Sequence, residues 1–347
     1  MTTTDAIPAG HPRPPLRSHR PPAARRASRP LRRAAAAAAT LLLAAGLAAG
    51  TAAPASAADL PDDTEFFADP QSQVARWVAG NPSDTRRPVI EERIAVHAQG
   101  IWFSNYEPDT VTEDVRRVTD SAAQAGEVPA LVPYQLPNRD CGGASAGGAP
   151  DIPAYNAWID GFADGLGEDP VLVLLEPDSL ALITCLDDQE LAERNGALSR
   201  AAEVIHDANP QARVYLDAGH SAWNAPEEQA RRLRAAGVTE DADGIYTNVS
   251  NYRHTGDERV FATAVLSQLG DPDLRAVIDT SRNGNGPAAG GEWCDPAGRA
   301  VGEPPTGATG DPLVDAYLWV KPPGEVDGCA GPAGSFSPDY AYGLATN

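Results

Sequence analysis

The feature of this sequence that most constrains its fold is an alternation of helical patterns with short, continuous apolar runs, which begins near residue 70 and continues along the chain. Continuous apolar runs that alternate with helices are typical of parallel strands buried on both faces. The runs predicted as strands are residues 101–103, 130–132, 171–175, 213–216, 244–246, 276–278 and 316–320. The predicted helices are residues 71–79, 85–98, 112–125, 153–166, 188–208, 226–236 and 257–269. Seven strands with intervening helices indicate either a barrel or an open parallel sheet.

Polar residues at the end of every predicted strand favour the barrel. The seven clusters contain Ser104 and Asn105; Asn138, Arg139 and Asp140; Glu176 and Asp178; Asp217 and His220; Asn248 and Asn251; Asp279 and Arg282; Lys321 and Glu325. In a β/α barrel these strand ends converge on one face, where active sites lie, whereas an open sheet does not need polar groups at every end. No G-x-G-x-x-G follows the first strand, which disfavours a dinucleotide-binding fold. We therefore predict a distorted seven-stranded parallel β/α barrel, TIM-like, forming a single catalytic domain over residues 58–347.

The first 57 residues have the pattern of a secretory signal peptide. Eight arginines precede an apolar run from about residue 34 to residue 53, and small residues lead to Ala55-Ser56-Ala57. The alternative is a membrane anchor, since the run is nearly long enough to span a bilayer. Acidic residues follow the run and its composition is mostly Ala and Gly, which favours cleavage after Ala57. We expect a secreted, extracellular protein with no stable membrane association, exported by a route that the sequence leaves open.

The charge of the chain limits its partners. The formal net charge is −21, and loss of residues 1–57, with eight Arg and one Asp, changes it to −28. An acidic surface repels phosphate backbones and anionic lipid, so a nucleic acid partner is not expected, while a neutral polysaccharide is compatible. No Pro/Ser/Thr-rich hinge indicates an attached binding module. The protein is expected to act as a monomer.

Four cysteines lie in the predicted mature part, at Cys141, Cys185, Cys294 and Cys329. An even count in an exported protein predicts two disulfides, with three connectivities open. Pairing of neighbours in sequence would close loops of about 45 and 36 residues, each stabilising by roughly 4 kcal/mol. The cysteines form no C-x-x-C and the histidines no H-x-x-x-H, so neither a metal site nor a cofactor is predicted.

The predicted barrel face is rich in carboxylates. They are Asp140, Glu176, Asp178, Asp217, Asp279, Glu325 and Asp327. Glycoside hydrolysis needs a protonated carboxyl group beside the leaving oxygen, and inverting enzymes place a second carboxylate about 6.5–9.5 Å away. Crowded carboxylates raise one another's pKa, which keeps one of them protonated near neutral pH. A strand-end Asp can instead cap a helix or pair with Arg, but a ring of them with few arginines nearby favours catalysis.

Two long motifs carry a resemblance to a known family. The stretch V-P-Y-Q-L-P-N-R-D-C at residues 132–141 resembles the V-x-Y-x-x-P-x-R-D-C motif of glycoside hydrolase family 6, the cellulase family of endoglucanases and cellobiohydrolases. The stretch L-L-E-P-D-S-L at residues 174–180 resembles the family's second motif, around the proton donor. The likeness continues through residues 215–220, 248–252, 279–284 and 318–325. It therefore covers nearly all of the predicted mature chain.

The resemblance implies roles for five residues of the reaction centre. Asp178 would be the general acid, and Asp140 would lie near it and help to keep it protonated. Asp217 would help to bind the distorted sugar, and Asp327 is the carboxylate often proposed as the base in this family. Tyr134 would press on the sugar at the cleavage point and favour a twisted ring.

Further residues would bind the glucan chain. Sugar rings stack their C–H faces on aromatic rings, while their hydroxyls take polar partners. The resemblance implies aromatic contacts from Trp102, Trp223 and Trp293, and polar contacts from His220, Asn251, Lys321 and Glu325. Lys321 is the only lysine of the chain. The remaining tryptophans, Trp77, Trp158 and Trp319, lie on helix or strand patterns and are assigned to packing.

The resemblance also selects one disulfide pattern, with Cys141 bonded to Cys185 and Cys294 bonded to Cys329. The first bond would fix the loop that carries Asp140. The second would lie two residues from Asp327.

The stretches after Asp178 and between Cys294 and Cys329 are short, which predicts an open cleft instead of a tunnel. The sequence therefore predicts a secreted endo-β-1,4-glucanase that cleaves internal bonds of cellulose with inversion. The alternatives are a cellobiohydrolase of the same family, a catalytically inactive carbohydrate-binding barrel, and a retaining glycosidase of another family, with carboxyl groups about 5–5.5 Å apart.

Overall fold

The computed structural model describes residues 60–347, so the predicted signal peptide lies outside the described residues. The strands are β1 (Ile101–Phe103), β2 (Ala130–Pro133), β3 (Val171–Leu175), β4 (Ala212–Asp217), β5 (Gly244–Thr247), β6 (Arg275–Asp279) and β7 (Val314–Leu318). The helices are α1 (Gln73–Gly80), α2 (Arg87–Ile90), α3 (Val111–Ala125), α4 (Ile152–Ala163), α5 (Asp188–Ala208), α6 (Pro226–Ala235), α7 (Val238–Asp241), α8 (Thr255–Leu269) and α9 (Pro338–Thr346). Helix α2 continues into a π-helical turn, Glu91–Ala95.

The seven strands form one parallel sheet in the order of the sequence. The sheet curls until the start of β1 meets the end of β7, where the Gly100 N–H donates to the carbonyl oxygen of Trp319 at 2.8 Å. The backbones are so close there that a Cβ on Gly100 would lie 2.3 Å from the Val320 oxygen. Strands β1 and β7 are not paired with each other by the hydrogen bonds of the sheet, so the barrel is incomplete. The predicted distorted barrel is therefore confirmed.

Both faces of the sheet are buried, as the continuous apolar runs require. On β3, Val171, Val173 and Leu175 pack in the cluster that also contains residues of the outer helices. Leu172 and Leu174 belong to a second cluster, inside the curl, with Tyr215 and other strand residues. Alternate side chains along one strand thus stabilise two layers of packing.

The prediction for the last strand was wrong by two residues, because β7 begins at Val314 and not at residue 316. The reason is Asp315, a charged residue inside the strand. Its buried carboxylate accepts hydrogen bonds from Arg213 at 2.8 Å and from the Tyr215 hydroxyl at 2.6 Å. Buried charges are tolerated where they are paired in this way, which a pattern of apolar residues does not reveal.

Three helical regions also differ from the prediction. The region predicted as one helix over residues 85–98 is divided into α2 and the π-helical turn, and the short α7 was missed. The missed α9 has a recognisable start, since the Ser337 side chain accepts the Tyr340 N–H and Pro338 is the first helical residue.

The helices of residues 60–347 were also compared with the requirements for a membrane span. None of them has the length and apolar character needed to cross a membrane.

Candidate active site

The ends of the strands converge on a cavity of about 430 Å³. Ten of the twelve residues that the sequence assigns to catalysis or glucan binding line it. They are Trp102, Tyr134, Asp140, Asp178, His220, Trp223, Asn251, Trp293, Lys321 and Asp327. Of the other two, Asp217 is the buried last residue of β4, and Glu325 lines a second, adjacent cavity.

Asp178 has the properties expected of a proton donor. It follows β3 with a φ of 66°, a conformation that is uncommon for a non-glycine residue and that is often found at functional sites. Burial and, to a smaller extent, the negative charges of Asp217, Asp140 and Asp327 together raise the pKa of Asp178 to about 8. The carboxyl group is therefore protonated at neutral pH and faces the cavity.

Glu176 braces the loop that follows β2. Its buried carboxylate accepts the Gln135 N–H at 2.9 Å and the Leu136 N–H at 2.9 Å. Burial raises the pKa of Glu176 to about 7, although these two amides favour the charged form. The sequence predicted that Glu176 lies among the carboxylates of the barrel face, but it assigned no role to this residue. The structure makes it a support for the loop that carries Tyr134 and Asp140.

Tyr134 is held between two side chains. The Arg139 guanidinium lies 4.6 Å from the centre of its ring, and the Trp102 ring meets it edge to face at 5.4 Å between centroids. Arg139 also donates to the carbonyl oxygen of Ser104 at 2.8 Å and to that of Ser145 at 2.8 Å. The phenol ring is therefore fixed in the cavity wall instead of moving freely.

Asp140 and Asp217 come from the strands on either side of β3, which Asp178 follows. Asp140 lies after β2, and Asp217 is the last residue of β4. The Asp140 carboxylate accepts the Ser145 N–H at 2.7 Å, and that of Asp217 accepts the Gly219 N–H at 3.0 Å. Burial raises the pKa of Asp217 to about 7, while backbone N–H groups of Gly219, Ala181 and Leu180 oppose the shift. Asp217 does not line the cavity, so its predicted contact with the sugar stays a prediction. Its negative charge raises the pKa of Asp178.

Asp327 is held in a buried network that sequence reasoning missed. Its carboxylate accepts Arg282 Nη1 at 2.8 Å and the Tyr252 hydroxyl at 3.1 Å, and Lys321 Nζ lies 3.8 Å away. Arg282 is completely buried and lies over the Tyr252 ring at 4.5 Å. The Tyr340 hydroxyl of α9 lies 2.9 Å from that of Tyr252. The negative charge of Asp327 is therefore balanced by cations from two loops.

The two disulfides tie together loops that carry these carboxylates. Cys141 is bonded to Cys185, which joins the loops after β2 and β3. Cys294 is bonded to Cys329, which joins the loops after β6 and β7. This confirms the pairing that the resemblance implied. The second link is reinforced by Asp295, whose carboxylate accepts the N–H groups of Asp327, Cys329 and Ala330 at 2.7, 3.0 and 2.9 Å.

Two tryptophans present their rings to solvent at the rim of the cavity. Trp223 is 39% exposed and Trp293 is 55% exposed, whereas Trp158 and Trp319 are 1% exposed and pack in the core. Large exposed aromatic rings that line one cavity are typical of a ligand-binding surface. The exposed rings suit stacking against sugar faces.

His220 is neutral and has one hydrogen-bond donor left for a ligand. Burial lowers the pKa of His220 to about 4, and the charge of Arg253 contributes. Its Nδ1 accepts the Ala222 N–H at 3.2 Å, so the proton of the neutral ring lies on Nε2. His220 can therefore donate to a sugar hydroxyl.

Across residues 60–347, no group of three His, Cys, Asp or Glu side chains has the arrangement of a metal site.

The known proteins that this chain resembles include a glycosyl hydrolase family and two bacterial endoglucanases. A sequence model described as glycosyl hydrolases family 6 matches residues 62–347. Endoglucanase A of Thermobispora bispora is 53% identical over 301 residues, which cover 86% of this chain and 65% of that protein. Endoglucanase 1 of Streptomyces sp. (strain KSM-9) is 55% identical over 276 residues, which cover 79% of this chain and 76% of that protein. The chain thus spans about two thirds to three quarters of the length of these relatives.

One solved structure extends the likeness to a bound ligand. It is an endoglucanase from Mycobacterium tuberculosis in complex with methyl-cellobiosyl-4-deoxy-4-thio-β-D-cellobioside. It superposes with a TM-score of 0.77 at 38% sequence identity, covering 83% of this chain and 98% of the other.

Proposed function

This chain belongs to family 6 of the glycosyl hydrolases, and we propose that it is an endo-β-1,4-glucanase that cleaves cellulose with inversion, with Asp178 as the general acid. The observation that carries the proposal is the carboxyl group of Asp178, which is protonated at neutral pH inside a cavity with exposed aromatic rings at its rim. The names of the relatives and the thio-oligosaccharide in the solved structure support a β-1,4-glucan substrate.

The proposed reaction is a single displacement. Asp178 gives its proton to the glycosidic oxygen, which keeps the bonding electron pair as the bond to the anomeric carbon breaks. A water molecule attacks that carbon from the opposite face and loses a proton, so that a β bond yields an α product. Asp327, charged and paired with Arg282, is the proposed acceptor of that proton, directly or through water.

The other predicted residues bind and orient the chain in this proposal. Tyr134, fixed by Arg139, presses on the sugar at the cleavage point, and Trp223 and Trp293 stack on neighbouring rings. The Nε2–H of His220 donates to a hydroxyl group. The raised pKa of Asp178 and its position in the cavity favour this activity over an inactive carbohydrate-binding barrel.

Product stereochemistry tests the proposal. Proton NMR of the anomeric signals during cleavage of cellohexaose should show the α-anomer first, followed by mutarotation. The viscosity of carboxymethyl cellulose should fall steeply before many reducing ends appear, as internal cleavage requires. Initial release of the β-anomer would overturn the inverting mechanism, and a slow viscosity change with steady cellobiose release would favour the cellobiohydrolase alternative.

The pH dependence of kcat/KM should show the ionisation of the general acid, Asp178. Because Asp178 acts in its protonated form and has a pKa of about 8, kcat/KM should be maintained below that pH and fall as the pH rises through it. Asp217→Asn removes the neighbouring negative charge and should move this alkaline limb to lower pH. Asp279→Asn, also a buried carboxyl at a strand end, should leave the limb in place. A limb that Asp217→Asn does not move would contradict the assignment.

We also propose that residues 1–57 direct export, that residues 58–347 form the mature single domain, and that the enzyme is an extracellular monomer without stable membrane association. The two disulfides support an oxidising compartment. Sequencing of the protein from culture fluid should therefore read Ala58 first. Retention of the enzyme in the membrane fraction would contradict the proposal.

A further inference from the structure

The loop that follows β4 carries two of the residues proposed to bind the glucan, His220 and Trp223. Both line the catalytic cavity, and their rings lie 5.2 Å apart between centroids. The Trp223 N–H donates to the carbonyl oxygen of His220 at 2.9 Å, and the Ala222 N–H donates to His220 Nδ1 at 3.2 Å. The two side chains are thus linked through the backbone, so a contact that fixes the chain beside His220 also places Trp223.

The backbone is held on both sides of His220 by contacts from outside this loop. The carbonyl oxygen of Gly219 accepts the Asn248 N–H at 2.7 Å, which joins the loop to the end of β5. The Ser221 N–H donates to Glu258 Oε1 at 2.9 Å, which joins the loop to α8. His220 therefore lies between two anchored residues, and one of the anchors is a side chain.

Glu258 is a costly residue to place at this point, because it is completely buried. Burial raises the pKa of its carboxyl group, although hydrogen bonds from Ser221 and Thr247 and the positive charge of Arg253 oppose the shift. Burial of a carboxyl group costs free energy that an apolar side chain of the same length would avoid. An apolar side chain could not accept the Ser221 N–H, however, and this contact explains the buried glutamate.

Glu258 does not line the catalytic cavity, so it can act on a ligand only through the residues that it holds. Glu176 acts in the same way on the loop after β2, where its buried carboxyl group accepts the Gln135 and Leu136 N–H groups beside Tyr134. Two buried glutamates therefore each hold one part of the cavity wall by accepting backbone N–H groups.

We propose that Glu258 is the positioning residue for His220 and Trp223. By accepting the Ser221 N–H, it keeps the Nε2–H of His220 and the ring of Trp223 oriented toward the same glucan chain. The inference rests on the proposed function, since it requires that these two side chains bind the substrate. It adds a residue that the resemblance does not imply and that lies on a helix instead of at the end of a strand.

Substitutions of Glu258 that keep the length of its side chain test this inference. Glu258→Met fills the same space without an oxygen acceptor, whereas Glu258→Gln keeps an oxygen that can accept the Ser221 N–H. The matched control is Asp243→Leu, because the Asp243 carboxylate also accepts a backbone N–H, that of Val214 at 2.7 Å, and does not line the cavity. Steady-state kcat and KM are measured on cellohexaose, and the affinity for cellotetraose is measured by calorimetry in an Asp178→Asn background. Thermal unfolding establishes that each variant is folded.

Glu258→Met should raise KM about tenfold and weaken cellotetraose binding by a similar factor, since roughly one hydrogen bond to the ligand is lost when His220 and Trp223 are no longer held. The change in kcat should be smaller than the change in KM. Glu258→Gln should retain a KM and an affinity close to those of the wild type. Asp243→Leu should leave both unchanged even where it lowers the melting temperature.

A second comparison shows whether the effect of Glu258 passes through the two side chains. In a His220→Ala/Trp223→Ala background, Glu258→Met should change kcat/KM on cellohexaose by less than about twofold, because residues that act together have non-additive effects. Unaltered KM and affinity in Glu258→Met, or an equal loss in both backgrounds, would overturn the inference. If the protein binds cellotetraose but cleaves no oligosaccharide, the proposed function is refuted and the affinities alone decide the inference. A protein that neither binds nor cleaves these sugars would overturn both.

Discussion

Replacement of Asp178 by asparagine should lower kcat on cellohexaose by about 10³-fold, since general acid catalysis contributes roughly 10²–10⁴-fold. Asparagine has nearly the same shape but no proton of suitable acidity for the departing oxygen. Asp178 lines the cavity and takes no part in the hydrogen bonds that hold the carboxylates of Glu176, Asp140 and Asp217, so the substitution removes chemistry without breaking those contacts. The measurement is steady-state hydrolysis of cellohexaose, with thermal unfolding to establish that the variant is folded.

An activated substrate separates loss of the acid from loss of binding. In 2,4-dinitrophenyl β-cellobioside the leaving group departs as a stable anion and needs little help from a proton. Asp178→Asn should therefore retain far more of the wild-type rate on this substrate than on cellohexaose. Asp279→Asn, with a buried carboxyl group whose pKa burial raises to about 6, should retain most activity on both. Equal losses by Asp178→Asn on the two substrates would assign Asp178 to binding and not to proton transfer.

The strands and the catalytic face were predictable because their signals are local. A strand buried on both faces requires a continuous apolar run, and Val171–Leu175 is such a run with Asp178 three residues beyond it. Convergence of the strand ends then brings together residues that are far apart in the chain, which is why ten predicted residues line one cavity. Where a charged residue such as Asp315 interrupts the pattern, the boundary of the strand was misplaced.

The supporting contacts were not predictable because each depends on partners that only the folded chain brings together. Glu176 is adjacent to the acid motif, yet its role depends on amides 40 and 41 residues away. Glu258 lies 37 residues from Ser221, and Tyr340 lies 88 residues from Tyr252. No spacing rule relates these positions. Arg282 follows β6 in the sequence, but only the folded chain shows that it is buried and paired with Asp327.

Asp327→Ala should destabilise the enzyme by about 3–5 kcal/mol, because removing one partner of a buried ion pair leaves an uncompensated charge. Arg282 is completely buried and donates to Asp327 at 2.8 Å, and Lys321 at 3.8 Å would lose the same counterion. Urea unfolding with both disulfides intact measures the free energy of unfolding. The variant should also lose activity, but that loss alone does not distinguish a base from a counterion.

The double variant Asp327→Ala/Arg282→Met resolves the two roles of Asp327. Replacing a buried ion pair by apolar side chains is often neutral or stabilising, so the double variant should regain most of the lost free energy of unfolding. If Asp327 accepts the proton of the attacking water, activity should stay low in the double variant although the fold has recovered. The matched single variant Arg282→Met should be less active than wild type but more active than the double variant, since the carboxylate remains. Recovery of activity together with stability would mean that Asp327 acts only by balancing Arg282, and that the proton leaves through another group or through solvent.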